Sequence, residues 1–549
     1  MNSEKRFFLA VAISFLILLL YPIYLRWVSP PPTPNNRSGV DSSSIQEQAN
    51  LGEQAASSSP AAMITTQQSK PTENFYKFSN EHFDVEFSDL GGTITKLKLK
   101  EWGKGREEVV LIESAGPERA FSADLANQGL GFSGKVFSPE VLNEQSGEVR
   151  FTAMEPGKWR LAKKYQFSRD GPTIQLEVEV QNLSAEAQTA VFELTTQLAV
   201  GSEHGRDRYY TESFTAFRDK VVAVQLGKLE KKPSVQEGEI LWAALAKKYF
   251  ALIIRPDRSA ALSKTDIARN GAEAIQSALR FAPEAVAPGG SIQRQFLVYA
   301  GPQYYRSLKS FGYGFEQILS SGFFGIFKLW LLAALQWTHK AVGNYGWAII
   351  LITIAIKLLF TPLTHISFES MKKMQALQPK LKALQERYKN DQAKLSQEMM
   401  GLYKRNKVNP MAGCLPMLLQ IPIFIAFYSV LAQTVELKGE PFIFWIQDLS
   451  APDRLWTLPM SLPIIGSGIN ILPLLMLGSM LWQQHLTPQT GTPEQQKMMM
   501  IMPIVFGFVF YNLPSGLVLY WFVNNLLSIF HQLFIKGKAL PHHEEETKS

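Results

Sequence analysis

Residues 355–362 read AIKLLFTP, and they place a lysine, Lys357, inside a run that is otherwise apolar from Trp347 to Leu363 apart from two threonines. A charge at the centre of a membrane helix costs roughly 2.5–3.5 kcal/mol on insertion scales. A residue that carries this cost is expected to have a partner or a task. The stretch therefore predicts a membrane-spanning helix with a functional site at Lys357.

The composition places this helix in a membrane protein with a large water-soluble insert. Of the 549 residues, 46% are hydrophobic and 19% are charged, and the apolar residues concentrate at the extreme N-terminus and after about residue 320. The length allows more than one domain. The single cysteine, Cys414, excludes an intrachain disulfide and the zinc sites that need paired cysteines.

Apolar segments and basic loops together predict the membrane topology. Segments of roughly 17–25 apolar residues can cross a bilayer, and the candidates are an N-terminal anchor and five later segments, at about 344–363, 415–433, 459–484, 498–512 and 514–535. The loop 365–411 contains ten Lys or Arg and four acidic residues, whereas the loop 434–458 contains two basic and four acidic residues. By the positive-inside rule, the first loop and both chain ends are cytoplasmic. The sequence thus predicts a polytopic α-helical membrane protein with six transmembrane helices, N-in and C-in.

The region between the anchor and the later spans has a different pattern. Ile174, Leu176, Val178 and Val180 alternate with polar residues, as half-buried antiparallel strands do, and several such runs separated by turn signals predict an all-β sandwich. The predicted domains are an uncleaved transmembrane anchor (1–28), a flexible linker (29–72), a non-cytoplasmic β-sandwich domain (73–310), an amphipathic interface helix (311–341), a five-helix core (342–535) with a cytoplasmic helical hairpin (366–408), and a cytoplasmic tail (536–549).

The cytoplasmic hairpin has an apolar stripe and a basic surface. Two helical stretches are predicted around a turn at Asn390 and Asp391, with apolar residues repeating every three or four positions. One interpretation is two helices that pack together with solvated charges outside. The other is a cationic, methionine-lined surface that contacts lipid head groups, ribosomal RNA or hydrophobic clients. The candidate contact residues are Met371, Lys372, Lys373, Met374, Lys404 and Arg405.

No Asp or Glu lies in the apolar runs of the predicted spans, so Lys357 has no acidic partner within them. It could lose its proton, extend to the interface, or lie in a wet cavity. The cavity is favoured because other polar residues occur in the spans and must turn away from lipid. These residues are Thr353, Gln420, Tyr520, Trp521, Asn524 and Asn525. The sequence predicts a water-filled groove that opens to the cytoplasm.

Several other classes of function are disfavoured. The motif GLGFSGKV at 129–136 has Val136 where a phosphate-binding loop needs Ser or Thr. His82 and His204 lack the neighbours that a metal site requires, and no nucleophile motif accompanies Lys357 as in a Ser-Lys hydrolase. Ion-coupled transporters usually keep carboxylates at mid-membrane. A channel or secondary transporter is nevertheless the alternative to the function given below.

Long strings in the core carry a family resemblance. They are TPLT (361–364), SQEMMGLYKRNKVNPMAGCLPMLLQIPIFIAFY (396–428), FIFWIQDLS (442–450), PEQQKMMMIMP (493–503) and LPSGLVLYWFVNNL (513–526). Together they resemble the YidC-type membrane protein insertases of Gram-negative bacteria, in the YidC/Oxa/Alb family. The layout of the whole chain is similar, although the part before the core matches mainly in position and β character.

The resemblance implies a function and its participants. It implies an insertase of the inner membrane that moves hydrophobic segments of nascent membrane proteins into the bilayer, alone or with the Sec translocon. Its large domain would be a periplasmic super-sandwich, the ribosome would make weak contacts with the cytoplasmic loops, and no enzymatic activity, cofactor, metal or small-molecule substrate would be involved. Lys357 occupies the family's positive groove position, and Thr353, Gln420 and Trp521 match other groove positions. The family's usual residue at the positive position is arginine, and lysine keeps the charge without the planar fork.

Overall fold

The structure is a computed structural model that describes residues 73–537 apart from short internal segments. Those segments are 103–106, 115–118, 128–130, 144, 201–209, 230–231, 258–261, 271–273, 321–324, 390, 407, 409–414, 463–465 and 488–492. The predicted anchor (1–28), the linker (29–72), His204, Cys414 and nearly all of the tail (536–549) lie outside the described residues.

Antiparallel sheets account for most of the described chain before residue 302. The strands are β1 (Phe75–Ser79), β2 (Phe83–Ser88), β3 (Thr93–Trp102), β4 (Glu107–Glu113), β5 (Ser122–Leu125), β6 (Ser138–Asn143), β7 (Glu148–Glu155), β8 (Trp159–Phe167), β9 (Thr173–Asn182), β10 (Gln188–Ala190), β11 (Phe192–Ala199), β12 (Glu212–Phe217), β13 (Val221–Gln225), β14 (Ser234–Glu237), β15 (Ile240–Lys247), β16 (Phe250–Pro256), β17 (Leu262–Asn270), β18 (Ala274–Phe281), β19 (Glu284–Val286) and β20 (Ser291–Pro302). The largest sheet has the strand order β13-β12-β15-β16-β20-β9-β8-β7-β6, a second has the order β14-β17-β18-β11-β5, and a third has the order β1-β2-β3-β4.

The apolar and polar residues that alternate along the sequence also alternate between buried and more exposed positions in the sheet. In β9, Ile174, Leu176, Val178 and Val180 are buried and the intervening residues are half-buried or exposed. One hydrophobic core contains residues of all three large sheets, for example Phe87, Leu194 and Tyr165. Strand side chains alternate between the two faces of a sheet, so each sheet contributes one face to this core.

The motif at 129–136 forms no nucleotide-binding loop in its described part. Residues Phe132–Gly134 form a 3₁₀ turn, and the chain continues into strand β6 rather than into a helix. Lys135 forms an ion pair with Glu155. Among the described residues, no group of three or more His, Cys, Asp and Glu is arranged to hold a metal ion.

A buried lysine fixes the turn that joins two strands of the third sheet. Lys163 lies on β8 with its side chain fully buried, and its Nζ donates hydrogen bonds of 2.7 Å to the carbonyl oxygens of Gly91 and Phe121. Two residues along the strand, the hydroxyl of Tyr165 donates to the carbonyl oxygen of Gly92 at 2.9 Å. Gly91 and Gly92 both have positive φ, 74° and 54°, which favours glycine. The two side chains therefore hold this turn against the largest sheet.

We expect Lys163 to make the stability of the protein depend on pH above neutrality. Burial lowers the pKa of Lys163 to about 7, whereas in the unfolded chain it keeps its ordinary value of about 10.4. Between these values the unfolded state binds more protons, so the free energy of unfolding rises with pH. Thermal unfolding of the full-length protein in detergent, followed from about pH 7 to about pH 9.5, measures this rise.

The control for this prediction is Lys163→Met, which keeps most of the side-chain volume but cannot titrate. It should unfold at a lower temperature at every pH, because two buried carbonyl oxygens lose their donor. Its unfolding temperature should also increase less with pH than that of the wild type. Equal pH dependence in the two proteins would contradict the assignment.

The rest of the described chain is mainly helical. The helices are α1 (Leu226–Leu229), α2 (Tyr305–Ser310), α3 (Gly325–Val342), α4 (Tyr345–Ala376), α5 (Gln378–Arg387), α6 (Gln392–Arg405), α7 (Leu415–Gln433), α8 (Ile471–Leu486), α9 (Pro493–Phe510) and α10 (Ser515–Gly537). Only α1 precedes the end of the sheets. Among the described residues, α4 and residues 515–534 of α10 are long and apolar enough to cross a membrane, and shorter apolar helical stretches occur at 420–433 and 499–510.

The predicted interface helix is shorter than the segment 311–341. Residues Phe315–Ser320 form a 3₁₀ helix, and the α-helix α3 begins only at Gly325. On α3, Leu331, Leu332 and Leu335 are buried, whereas the side chains of Trp330 and Trp337 are 80% and 75% exposed. This two-faced distribution is that of an amphipathic helix.

Helix α3 also joins the sheets to the other helices. Its Lys328 is buried, and the Nζ atom donates a 2.8 Å hydrogen bond to Oε1 of Gln433 at the end of α7. Gln336 donates to Oε1 of Glu436 at 2.9 Å, and Glu436 accepts a further bond from the backbone N–H of Tyr305 at 3.3 Å. These bonds connect α3 to the residues that end α7 and to the start of α2.

The predicted span at 459–484 is wrong in its first half. Strands β21 (Arg454–Leu462) and β22 (Gly466–Asn470) form an antiparallel hairpin there, and α8 begins only at Ile471. The carboxylate of Asp453 accepts hydrogen bonds from the backbone N–H of Leu472 (2.7 Å) and from the indole N–H of Trp445 (2.9 Å). It thereby satisfies a free N–H in the first turn of α8 and fixes where the helix starts. Gly466 and Gly468 also disfavour an earlier start of the helix, because glycine is a poor helix former.

The position where the first core helix ends and the cytoplasmic helical hairpin begins also differs from the prediction. Helix α4 continues without interruption to Ala376, so Met371 and Met374 belong to the same helix as Lys357. The break falls at Leu377, and Pro379 then stands in the first turn of α5, a position that proline favours. The second break, between α5 and α6, lies at the predicted turn near Asp391.

Candidate functional site

Lys357 lies on α4 and reaches across to α10. Its Nζ donates hydrogen bonds to Oδ1 of Asn524 at 3.3 Å and to Oγ of Ser528 at 2.5 Å. Ser528 in turn donates to the backbone carbonyl oxygen of Asn524 at 2.8 Å. Asn524 and Ser528 are four residues apart on α10, so they occupy the same face of the helix. One turn of α10 therefore supplies both partners of the lysine.

No carboxylate takes part in this contact. In the described part of the chain, every ion pair involves residues other than Lys357. An amide oxygen and a hydroxyl lower the cost of a half-buried charge but do not neutralise it. The site is therefore a cationic position held by neutral dipoles, which leaves its charge available to an incoming anion.

Two threonines line the same helix on either side of Lys357. Thr353 is buried, and its hydroxyl donates to the backbone carbonyl oxygen of Ile349 at 2.7 Å. Thr361 donates in the same way to the carbonyl oxygen of Lys357 at 2.8 Å. Each hydroxyl thus bonds to a backbone carbonyl oxygen within α4. Thr353 lies four residues before Lys357 and therefore on the same side of the helix, but it does not bond to the lysine side chain.

Gln420 and Tyr520 form a second contact, between α7 and α10. The amide of Gln420 donates a hydrogen bond to the hydroxyl oxygen of Tyr520. The Tyr520 ring is buried and stacks on Phe427 with ring centres 4.0 Å apart. A buried hydroxyl with a partner and a stacked ring fasten the two helices. This pair therefore joins α7 to α10 one helical turn before Asn524.

Trp521 belongs to an aromatic cluster rather than to the polar contacts. Its ring centre lies 5.2 Å from that of Phe424 on α7, and 5.9 Å and 5.1 Å from those of Phe506 and Phe510 on α9. Offset and edge-on arrangements at these distances are favourable. Trp521 thus connects three helices.

The structure separates two adjacent asparagines that the sequence could not distinguish. Asn524 faces Lys357, whereas Asn525 is buried and its Nδ2 donates to Oγ of Ser479 on α8 at 3.1 Å. Ser528 is the partner that sequence reasoning missed. Its position four residues after Asn524 is the signal that could have identified it.

The hairpin candidates fall into two groups. Met371 and Met374 are buried, and Met374 packs with Leu377 and Val408 in a small apolar cluster. Lys373, Lys404 and Arg405 are exposed, and Lys372 is half-buried. Met374 thus packs at the base of the helical hairpin, while the exposed basic residues face its surroundings. Contact of these residues with clients or the ribosome stays a prediction.

Comparison with known proteins identifies the family. A family model described as "60Kd inner membrane protein" matches residues 337–542, and one described as "YidC periplasmic domain" matches residues 76–334. "Membrane protein insertase YidC" from Geotalea daltonii is 33% identical over 550 residues, which cover 98% of this chain and 100% of the relative. The protein of the same name from Geobacter sulfurreducens is 35% identical over 464 residues, which cover 82% and 84%.

Solved structures show more distant likenesses. A crystal structure of an active YidC insertase with its first transmembrane domain resolved shares 18% identity and covers 86% of this chain and 94% of its own, with a TM-score of 0.37. A galactose mutarotase related enzyme from Lactobacillus acidophilus shares 14% identity and covers 41% of this chain and 97% of its own, with a TM-score of 0.33. Because both TM-scores are low, the assignment depends on the sequence relatives.

The sheets, the helices and these matches define an inner-membrane protein with a periplasmic β-sandwich domain and a helical C-terminal region. Within that class the relatives extend over nearly the full chain and carry one name. The chain belongs to the YidC family of membrane protein insertases. The resemblance drawn from the core motifs is thereby confirmed. Membership of an insertase family also means that the protein is not an enzyme, and it decides against the channel or transporter alternative.

The two asparagines provide a test of the site's geometry. We expect Asn525→Ala to lower the free energy of unfolding by about 1–3 kcal/mol, because it removes a buried hydrogen bond between α8 and α10. Asn524→Ala should change stability less and should slow insertion of a client protein, because it removes a partner of Lys357. Thermal unfolding in detergent and insertion in proteoliposomes measure the two effects. The reverse pattern would show that the two side chains have been assigned to the wrong sites.

Proposed function

We propose that this insertase moves hydrophobic segments of newly made inner-membrane proteins into the bilayer through a hydrophilic groove at Lys357. The observation that carries the proposal is the contact of Lys357 with Asn524 and Ser528, which holds a cation inside an apolar helix pair without an acidic partner. The groove would comprise the six predicted residues Lys357, Thr353, Gln420, Tyr520, Trp521 and Asn524. Ser528 joins them as the second partner of the lysine.

The proposed topology has six membrane spans, with both chain ends in the cytoplasm. Helices α4, α7, α8, α9 and α10 would supply five of them, and the predicted anchor at 1–28, which lies outside the described residues, would supply the sixth. The charge of the loop 365–411, ten basic against four acidic residues, supports its cytoplasmic location. The domain order proposed from the sequence is retained, with the interface helix shortened to α3, the hairpin beginning after Ala376 and the third core span shortened to α8.

The energetics of crossing explain why a groove would help. A polar client tail must pass about 30 Å of hydrocarbon, where each unsatisfied backbone group costs several kcal/mol. A wet, cationic position inside the membrane shortens the dry path and offers a favourable interaction to an acidic tail. No nucleotide is needed for this step, because the hydrophobic client segment gains burial when it enters the lipid.

Helix α4 has a polar side and an apolar side, which correspond to the polar tail and the apolar segment of a client. Lys357 points toward α10, whereas the adjacent Leu358 and Leu359 are 67% and 71% exposed. In a membrane these leucines would face lipid. A client could therefore keep its polar tail on the lysine side while its apolar segment lies against the leucine side.

Partners beyond the client follow from the family and the charge distribution. We propose that nascent inner-membrane proteins reach the groove past the exposed basic residues of the hairpin, including Lys373, Lys404 and Arg405. Weak ribosome contact would use the same cytoplasmic loops, and the protein would act alone or beside the Sec translocon. The basic surface supports such contacts because RNA and the cytoplasmic leaflet are both anionic.

Substitutions at Lys357 test the proposed function. We expect Lys357→Leu and Lys357→Ala to slow insertion of a single-span client with an acidic N-terminal tail severalfold, because the positive charge is lost. Lys357→Arg should stay close to wild type, because the charge is kept. Insertion is measured in cells depleted of their own insertase, and Lys340→Ala, which removes an exposed positive charge on α3, is the matched control. Wild-type rates for Lys357→Leu and Lys357→Ala would refute the proposal.

A further inference from the structure

Two histidines lie on the cytoplasmic side of Lys357 and have no place in the site described above. His365 follows on α4 and His531 on α10, and their ring centres are 6.1 Å apart. The ring of Phe368 lies 5.7 Å from that of His531 and borders the pair. His365 is exposed and His531 is half-buried, so the pair is accessible from one side.

The histidines continue a polar stripe that begins at Lys357. On α4, Lys357, Thr361 and His365 are spaced four residues apart and occupy one face of the helix. On α10, Asn524, Ser528 and His531 form the facing stripe. Eight residues of helix separate Lys357 from His365, or about 12 Å along the axis. The stripe thus runs from the lysine site toward the cytoplasmic end of both helices.

The charges around the pair are predominantly positive. Lys357 and His365 on α4 are the charged or titratable groups that act on His531. Helix α8, which packs on the other side of α10, has one titratable side chain, the exposed His485. The nearest acidic residue along α4 is Glu369, which is exposed and follows His365 by one turn. Lys357 is therefore the fixed charge that an anion between the two helices would approach, and Glu369 is the nearest carboxylate along α4.

The spacing of the rings suits a shared acceptor. A ring nitrogen that donates a hydrogen bond of normal length places its acceptor about 4 Å from the ring centre. Two rings whose centres are 6.1 Å apart can therefore both donate to one carboxylate. Each imidazole donates from both nitrogens when it is protonated.

From this geometry we infer that His365 and His531 form a second anion-binding position, which takes the carboxylates of a client's acidic tail before they reach Lys357. The inference rests on the proposed function and specifies its substrate class: clients whose translocated tail carries Asp or Glu. Histidine is the side chain whose charge ordinarily changes between pH 5 and pH 8. Insertion of such clients should accordingly depend on the pH of the cytoplasmic side in that range.

The experiment uses the full-length protein in proteoliposomes and two clients. One is a single-span client with an acidic N-terminal tail, and the other is the same client with every tail Asp changed to Asn and every tail Glu to Gln. The ratio of their insertion rates is measured at pH 6 and pH 8 for the wild type, His365→Gln, His531→Gln and the double variant. His485→Gln, a cytoplasmic-side histidine outside the pair, is the matched control.

We expect the ratio of acidic to neutral client to fall severalfold from pH 6 to pH 8 in the wild type and in His485→Gln. In the double variant the ratio should be independent of pH, and each single variant should lie between. A ratio that falls equally in the double variant would overturn the inference. So would equal pH dependence for the two clients, which would point to lipid charge instead.

A parallel measurement on Lys357→Ala separates this inference from the function on which it rests. If Lys357→Ala inserts both clients at wild-type rates, the proposed function itself fails. If Lys357→Ala slows the acidic client but the double histidine variant keeps the wild-type pH dependence, only the histidine site is rejected.

Discussion

The contact of Lys357 with Asn524 and Ser528 is the constraint on which the helical half of this protein depends. A cation inside an apolar helix needs polar partners, so α10 must present an amide and a hydroxyl one turn apart at this depth. That requirement fixes how α4 and α10 face each other. The neighbouring pairs, Gln420 with Tyr520 and Asn525 with Ser479, then fasten α10 to α7 and α8.

The β-sandwich domain and the helices are linked by an amphipathic element. Helix α3 carries exposed tryptophans on one side and, on the other, a buried lysine that bonds to Gln433 at the end of α7. Such a helix suits the membrane surface, where aromatic rings have one apolar and one wet side. A rigid connection at that level would keep the core in register with the periplasmic domain.

Much of the architecture could be predicted from the sequence, because period-two alternation and long apolar runs are strong signals. Where the prediction failed, the local structure depends on contacts between residues that are distant along the chain. The hairpin before α8 depends on Asp453 capping Leu472, and an apolar run gives no sign of such a contact. The polar residues near Lys357 were recognised individually, but which of Asn524 and Asn525 faced the lysine depended on the rotation of α10. Lys163 was missed although it shares the buried phase of β8 with Leu161 and Tyr165, because a lysine is ordinarily exposed.

In the proposed mechanism, a client's polar tail passes Lys357 on the α10 side of α4, while its apolar segment stays on the lipid side. Photocrosslinking from Thr361 tests this most directly, because the probe lies one turn from the lysine and leaves it in place. The matched position is Leu359, on the same helix with an exposed side chain. We expect crosslinks to the tail from position 361 and to the hydrophobic segment from position 359. Tail crosslinks from 359 alone, or equally from both positions, would contradict it.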